Sequence, residues 1–156
     1  MFEQIIDNWK DYCTEANVIG IGSTRKVYKI DDYVIKKHLH PLGYKQSLKE
    51  VEIFNCMLHK GWSEIFAEVY YADEFIAIQK YYKTLDLRNN QSFDIDVRSD
   101  SNLIPYKFED ILSFLDKEFD SFDLKDSGNY GLNNENKLVF IDYGMTKASM
   151  KMSGCN

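Results

Sequence analysis

Apolar residues recur every three or four positions in three stretches of the chain, at residues 2–15, 45–60 and 107–118. This spacing places the apolar side chains on one face of a helix, so each stretch predicts an amphipathic helix. Gly61 follows the second stretch directly, which is typical of a helix C-terminus. We therefore expect three helices.

Short runs rich in β-branched and aromatic residues predict strands. Two of them flank the turn Gly20-Ile21-Gly22, a third follows Asp31-Asp32, and two more cover residues 66–71 and 75–79. Residues 84–104 are polar and irregular, and we expect a surface loop there. The pattern predicts an α+β fold with five strands.

The composition of the chain suits a folded domain. It has 156 residues, of which 44% are hydrophobic, so one domain can bury a core. The net charge of −6 argues against nucleic-acid binding, and no apolar run reaches the roughly 20 residues of a membrane span. Cys13, Cys56 and Cys155 lack metal-ligand spacing, and with no signal peptide recognised they favour a cytoplasmic location.

The Gly20–Gly22 turn and the strand after it carry candidate phosphate ligands. Glycine lets the backbone approach a ligand closely, and exposed N–H groups of such a turn can meet phosphate oxygens. On the following strand, Lys36 shares a face with Val34, while Lys37 lies on the other face. Lys37 is the rival, and the alternation with Val34 favours Lys36.

Three oxygen-bearing side chains mark the last third of the chain. Asp123 and Asn129 lie on one loop, residues 133–136 form a turn, and Asp142 ends the apolar strand that follows. A hairpin of this kind brings carboxylates and an amide together. Mg²⁺ binds such oxygens together with substrate phosphates, so the sequence predicts a magnesium site.

Taken in order, these motifs resemble those of the protein kinase-like family. The matching residues are Gly20, Ile21, Gly22 and Val27 of the Gly-rich loop, Val34 and Lys36 of the third strand, and Asp142-Tyr143-Gly144 in place of Asp-Phe-Gly. Arg25 stands where the family has a third glycine, a departure that we expect to be mild.

The resemblance implies roles for these residues and for others. ATP is the implied cofactor, with Lys36 on its phosphates and with Asn129 and Asp142 on Mg²⁺. Glu50 would form the ion pair with Lys36, whereas Glu52 is expected in solvent. Residues 79–83, with Gln79 and Tyr81, would be the hinge whose backbone meets the adenine.

The catalytic base is the least regular part of the resemblance. The family has five residues from its catalytic Asp to its Asn, whereas Asp123 and Asn129 are six apart, and Ser121 stands in place of the family's His. Either the loop carries one extra residue, or Asp126 has taken over, or the base is lost. We favour Asp123.

The implied architecture is a five-stranded antiparallel small lobe with one key helix in residues 1–83, and a reduced, mostly helical large lobe in residues 84–156. The chain ends twelve residues after Gly144 and has no Ala-Pro-Glu segment. It therefore looks like a minimal, C-terminally truncated kinase-like protein of microbial or viral type.

Two functions follow from the resemblance, and a plain α+β domain with chance motifs is a third reading. The first is a phosphotransferase of Ser/Thr protein kinase type, with catalytic Asp123, Lys36 and Glu50 and with a protein substrate. The second is a pseudokinase that blocks or scaffolds a protein partner.

Overall fold

The computed structural model of the protein describes residues 2–121 and 124–147. Within these ranges the helices are α1 (Phe2–Tyr12), α2 (Pro41–Lys60) and α3 (Phe108–Phe119). The strands are β1 (Val18–Ile21), β2 (Arg25–Ile30), β3 (Tyr33–His38), β4 (Val69–Ala72), β5 (Ile76–Lys80), β6 (Lys83–Thr84), β7 (Tyr130–Leu132) and β8 (Leu138–Phe140). None of these helices is long and apolar enough to cross a bilayer.

The predicted five-stranded antiparallel sheet is confirmed. Its order is β1-β2-β3-β5-β4, and every neighbouring pair runs antiparallel. Strand alternation gives this sheet two different faces. Ile35, Ile76 and Ile78 pack with Ile5 of α1 on one face, which leaves Val34, Lys36 and Gln79 for the other.

The expectation of a mostly helical second half is wrong for the described residues. Beyond residue 84 they contain one α-helix, α3, and the strands β7 and β8, which form a three-stranded sheet with β6 in the order β6-β7-β8. The Asn133 side chain accepts from the N–H groups of Glu135 and Lys137 and so stabilises the β7–β8 turn. Aromatic packing then joins this hairpin to α3, through Phe108 against Phe140.

Side-chain caps that the apolar pattern does not register set two helix ends. α1 ends at Tyr12, short of residue 15, where Asn17 Nδ2 donates to the Tyr12 carbonyl at 2.8 Å. α2 begins at Pro41, four residues early, because His40 accepts from the N–H of Leu42 and proline suits a first helical position. Gly61 ends α2 with φ 74°, as predicted.

The segment after β6 is irregular, as predicted, but it is held to the molecule. Ile95 is buried, and its N–H donates to the Lys125 carbonyl at 2.8 Å. The N–H of Phe93 donates to Ser127 Oγ at 3.0 Å. This segment therefore braces the loop that carries residues 124–129. The division at residues 83 and 84, which β6 straddles, stays a prediction.

Candidate functional site

A cavity of about 370 Å³ lies between the five-stranded sheet and residues 141–145. Most of the residues predicted from the sequence line it, namely Gly20, Ile21, Gly22, Val27, Val34, Lys36, Gln79, Tyr81 and Asp142. Val27 and Val34 supply an apolar wall, and Lys36 and Asp142 supply opposite charges. The cavity thus combines an apolar region with a polar end.

A hydrogen bond and close backbone packing hold the Gly-rich turn against the start of α2. Thr24 Oγ1 donates to Gln46 Oε1 at 2.5 Å, and the Thr24 carbonyl accepts from the N–H of Leu39 at 2.8 Å. A Cβ on Gly43 would lie 2.5 Å from that same carbonyl, so glycine permits the close approach. A Cβ on Gly20 would meet nothing within 4 Å, so internal packing does not require glycine there.

Lys36 is the buried lysine of β3, and it points at Glu50. Its Nζ lies 3.3 Å from Glu50 Oε1 and donates to the Ile141 carbonyl at 2.6 Å. Burial, and next the charge of Arg25, lower the pKa of Lys36 below its ordinary value. Lys37 is only half-buried and is not among the residues that line the cavity, whereas Lys36 is.

Glu50 lies behind the cavity, fully buried on α2. Its carboxylate accepts from Arg25 Nη1 at 2.7 Å and Nη2 at 3.0 Å, and from the N–H groups of Tyr143 and Gly144. Burial alone would raise its pKa, but Arg25 and Lys36 overcome it and hold the pKa at about 2. Glu52 is exposed and pairs with Lys49.

Arg25 has a larger role in the site than the mild departure expected for a residue in place of the third glycine. It is buried at the start of β2, and its guanidinium bridges Glu50 and Asp142, with Nη2 2.6 Å from Asp142 Oδ1. Burial opposes its charge, yet Glu50 and Asp142 raise the pKa of Arg25 above its ordinary value. Strand alternation was the missed signal, because Arg25 lies two residues from Val27 and so shares its cavity face.

Asn129 and Asp142 are the residues predicted to hold Mg²⁺. Oδ1 of Asp142 already accepts from Arg25, and a second cation on that carboxylate would be repelled by the guanidinium. Among residues 2–121 and 124–147, no three His, Cys, Asp or Glu side chains form a metal-binding group. In this arrangement Mg²⁺ would have to share the Asp142 carboxylate with Arg25. The metal role of Asn129 and Asp142 stays a prediction.

The loop before β7 contains the predicted base and its rival. Asp123 lies outside the described residues. Asp126 uses its carboxylate to accept from the N–H of Gly128 at 3.2 Å, and so it caps a short 3-10 turn. The Asn129 carbonyl accepts from the N–H groups of Ile141 and Asp142, so these two predicted metal ligands are neighbours through the backbone.

No protein-family model and no curated protein matches the chain. Among solved structures, the chain is similar to the streptomycin-ATP-APH(2")-IIa ternary complex, with 16% sequence identity and a TM-score of 0.49. The similarity covers 90% of this chain and 71% of that chain. A likeness of this strength supports no functional argument, so function is argued from the cavity itself.

Proposed function

We propose that the cavity binds a purine nucleotide, ATP, and that the protein is a kinase-like phosphotransferase. One observation carries the proposal: a glycine turn, a buried lysine held by a buried carboxylate, and Asp142 meet around one cavity with an apolar wall. The apolar wall suits a base, and the Lys36 ammonium and the backbone N–H groups of the glycine turn suit phosphates. We place the protein in the cytoplasm, in keeping with its cysteine usage.

In the proposed reaction a hydroxyl oxygen attacks the γ-phosphorus of ATP. The new oxygen–phosphorus bond forms as the bond to the β–γ bridging oxygen breaks, ADP leaves, and Asp123 takes the hydroxyl proton. Lys36 offsets phosphate charge, and Glu50 positions Lys36. Asp126 is a weaker candidate for the base because its carboxylate is engaged by Gly128. We propose a Ser or Thr hydroxyl of a protein as acceptor, with a small-molecule hydroxyl as the other acceptor class.

A pseudokinase is the second candidate, and Arg25 favours it. Its guanidinium neutralises Asp142 in the place where the family carries a metal ion. A protein that needs only the shape of the fold, with or without bound nucleotide, can keep such an ion pair. In this case the protein would act by holding a protein partner.

Calorimetry with ATP tests the binding proposal, with and without Mg²⁺. We expect wild type to bind, and Lys36→Met to lose about tenfold or more in affinity because a charged hydrogen-bond donor is gone. Lys37→Met is the matched control, one residue along the same strand, and should bind like wild type. No binding of ATP, ADP or GTP at millimolar concentration would overturn the proposal.

Transfer of labelled γ-phosphate separates the two candidates. A phosphotransferase should label itself, a protein mixture or a panel of small alcohols, and Asp123→Asn should remove nearly all of this labelling. Asp126→Asn should reduce it only modestly. Nucleotide binding without any transfer from wild type would select the pseudokinase.

A further inference from the structure

His38 is joined to Arg25 by a chain of hydrogen bonds that runs from the surface to the cavity. Its ring Nδ1 lies 3.0 Å from the Glu74 carbonyl, and its Nε2 lies 2.7 Å from Ser47 Oγ. Ser47 Oγ in turn accepts from Arg25 Nη1 at 3.2 Å. Ser47 is buried and His38 is half-buried, so His38 forms the outer end of the chain and Arg25 the inner end.

The chemistry of the partners decides where the protons of this chain lie. The Glu74 carbonyl can only accept, so Nδ1 of His38 carries a proton. Arg25 can only donate, so Ser47 Oγ accepts from it and has its own proton to give to Nε2 of His38. An Nε2 that accepts belongs to a neutral ring, and the network thus assigns the Nδ1–H tautomer.

The surroundings of His38 favour this neutral ring. Burial, more than any other cause, lowers the pKa of His38 below its ordinary value of 6.5, and the charge of Arg25 acts in the same direction. Nearby carboxylates and the Glu74 carbonyl act in the opposite direction without reversing the shift. The charged and titratable groups that interact with the ring come from three neighbouring elements, namely Arg25 of β2, Tyr44 and Glu50 of α2, and Asp73 of the turn before β5.

Ser47 helps to hold the guanidinium that joins the two sides of the cavity. Arg25 Nη1 donates to Ser47 and to Glu50 Oε1, while Nη2 donates to Glu50 Oε2 at 3.0 Å and to Asp142 Oδ1 at 2.6 Å. Because a guanidinium is planar and rigid, its contact with Ser47 also orients the donors that meet Glu50 and Asp142.

A second proton on His38 would reverse its bond to Ser47. Nε2–H would then donate, and Ser47 Oγ would accept from two cations while its own proton lost its acceptor. The imidazolium and the Arg25 guanidinium would share one buried hydroxyl, where like charges repel more strongly than they do in water. Protonation at His38 therefore acts on the position of Arg25.

We propose that His38 is a positioning residue for Arg25 and that its protonation weakens the junction of Arg25, Glu50 and Asp142 at mildly acidic pH. Neutral His38 accepts the Ser47 proton and so leaves the Ser47 oxygen directed at Arg25. This part of the inference does not require a nucleotide. Its consequence, a lower affinity for ATP as His38 takes up a proton, rests on the proposed function.

Nuclear magnetic resonance of the intact protein tests the chain directly. The ring nitrogens of His38 should show the Nδ1–H tautomer at pH 7.5, and the Arg25 Nε resonance should shift as His38 titrates below pH 6.5. In Ser47→Ala the Arg25 resonance should follow His38 much less, and in His38→Gln it should stay constant from pH 7.5 to pH 5. An Nε2–H tautomer, or an Arg25 resonance in wild type that does not respond to His38, would overturn the proposal.

Calorimetry measures the effect on the cavity. Between pH 7.5 and pH 5 the affinity of wild type for ATP should fall at least about fivefold more than that of His38→Gln, which is the scale of an ordinary coupling between two sites. Glutamine can offer Ser47 an acceptor but takes up no proton, and the titration of ATP itself is common to both proteins.

The other two histidines supply the controls. His59→Gln changes an exposed residue in the last turn of α2, and His40→Asn keeps an acceptor for the N–H of Leu42 at the start of that helix. Both variants should respond to pH as wild type does. A thermal melt at pH 7.5 checks that every variant is folded.

Each result bears on a separate claim. An equal pH response of ATP affinity in wild type and His38→Gln overturns the effect of His38 on the cavity. Loss of the response in His40→Asn assigns it to the cap of α2 and overturns the role of His38 as well. Failure of wild type to bind ATP overturns the proposed function, while the titration of the Arg25 resonance still decides the role of His38.

Discussion

Glu50 shows how one side chain can hold a site together. It lies on α2, yet it accepts hydrogen bonds from Arg25 of β2, from Lys36 of β3 and from the backbone at Tyr143 and Gly144. A buried carboxylate without partners would be very costly. Removal of the carboxylate would also be costly, because Arg25 and Lys36 would lose the buried counter-charge that it supplies. The charge of Glu50 is therefore a structural requirement as well as a component of the site.

Glu50→Gln should destabilise the protein at neutral pH by about 3–5 kcal/mol, because Arg25 and Lys36 lose their buried counter-charge. The folded pKa of Glu50 is about 2 against an ordinary 4.5. A depressed folded pKa gives stability that is present above pH 4.5 and lost as the pH falls toward 2, here about 3 kcal/mol. The difference in free energy of unfolding between wild type and Glu50→Gln, measured by urea unfolding, should therefore become smaller over that pH range.

Glu52→Gln is the control for this pH dependence. Glu52 lies on the same helix, is exposed, and pairs only with Lys49 at the surface. Its loss should shift unfolding little at any pH, because exposed pairs contribute little. A gap for Glu50→Gln that stays constant from pH 7 to pH 2 would contradict the charge argument.

Single residues were predictable where strand alternation decided them, as for Lys36 over Lys37. Arg25 is the exception: its position in place of a third glycine predicts a mild effect, whereas its spacing from Val27 places it on the cavity face. The hydrogen bond that Gln79 makes across the cavity could not be predicted, since it depends on where the segment after β8 lies. The local sequence pattern does not predict contacts between residues that lie far apart in the chain.

The site is a junction of α2, the β1–β2 turn and the segment after β8. Gly144 marks the closest approach, because a Cβ there would lie 2.2 Å from the Gln46 carbonyl and 2.9 Å from Glu50 Cγ. The local sequence pattern predicts α2 and the strand before this segment, but not the contact between helix and segment. It also places the start of α2 four residues too late, because the pattern of apolar residues does not reveal the His40 cap.

Gly144→Ala should destabilise the protein by about 1–3 kcal/mol, because backbone rather than a flexible side chain must move. The movement should also pull the Tyr143 and Gly144 N–H groups from Glu50. Gly20→Ala is the matched substitution, since its Cβ would meet nothing within 4 Å, and it should be neutral or slightly stabilising. Urea midpoints measure both, and equal midpoints would refute the close contact.

Three side chains of the five-stranded sheet contact the segment after β8. Arg25 contacts Asp142, while Lys36 and Gln79 share the Ile141 carbonyl. Residues 62 to 117 positions apart in the chain are thus joined directly across the cavity. We expect the two sheets to unfold together in one transition.

Arg25→Met should lower the unfolding midpoint of the whole protein. Methionine keeps apolar contacts, but Glu50 loses its bidentate partner and Asp142 loses its link to the sheet. Breaking a buried pair costs about 3 kcal/mol or more, which is about 6–12 °C in a chain of this size.

Lys26→Met is the control for Arg25→Met, because the neighbouring ion pair of Lys26 with Glu15 lies at the surface. It should leave the midpoint unchanged, since surface pairs are screened. If both variants have the same unfolding midpoint, the Arg25 guanidinium does not stabilise the contact between the two sheets. A different result would be unfolding of Arg25→Met in two transitions, in which β8 loses its hydrogen-exchange protection before β3 does. That result would show that the Arg25 bridge makes the two sheets unfold as one cooperative unit.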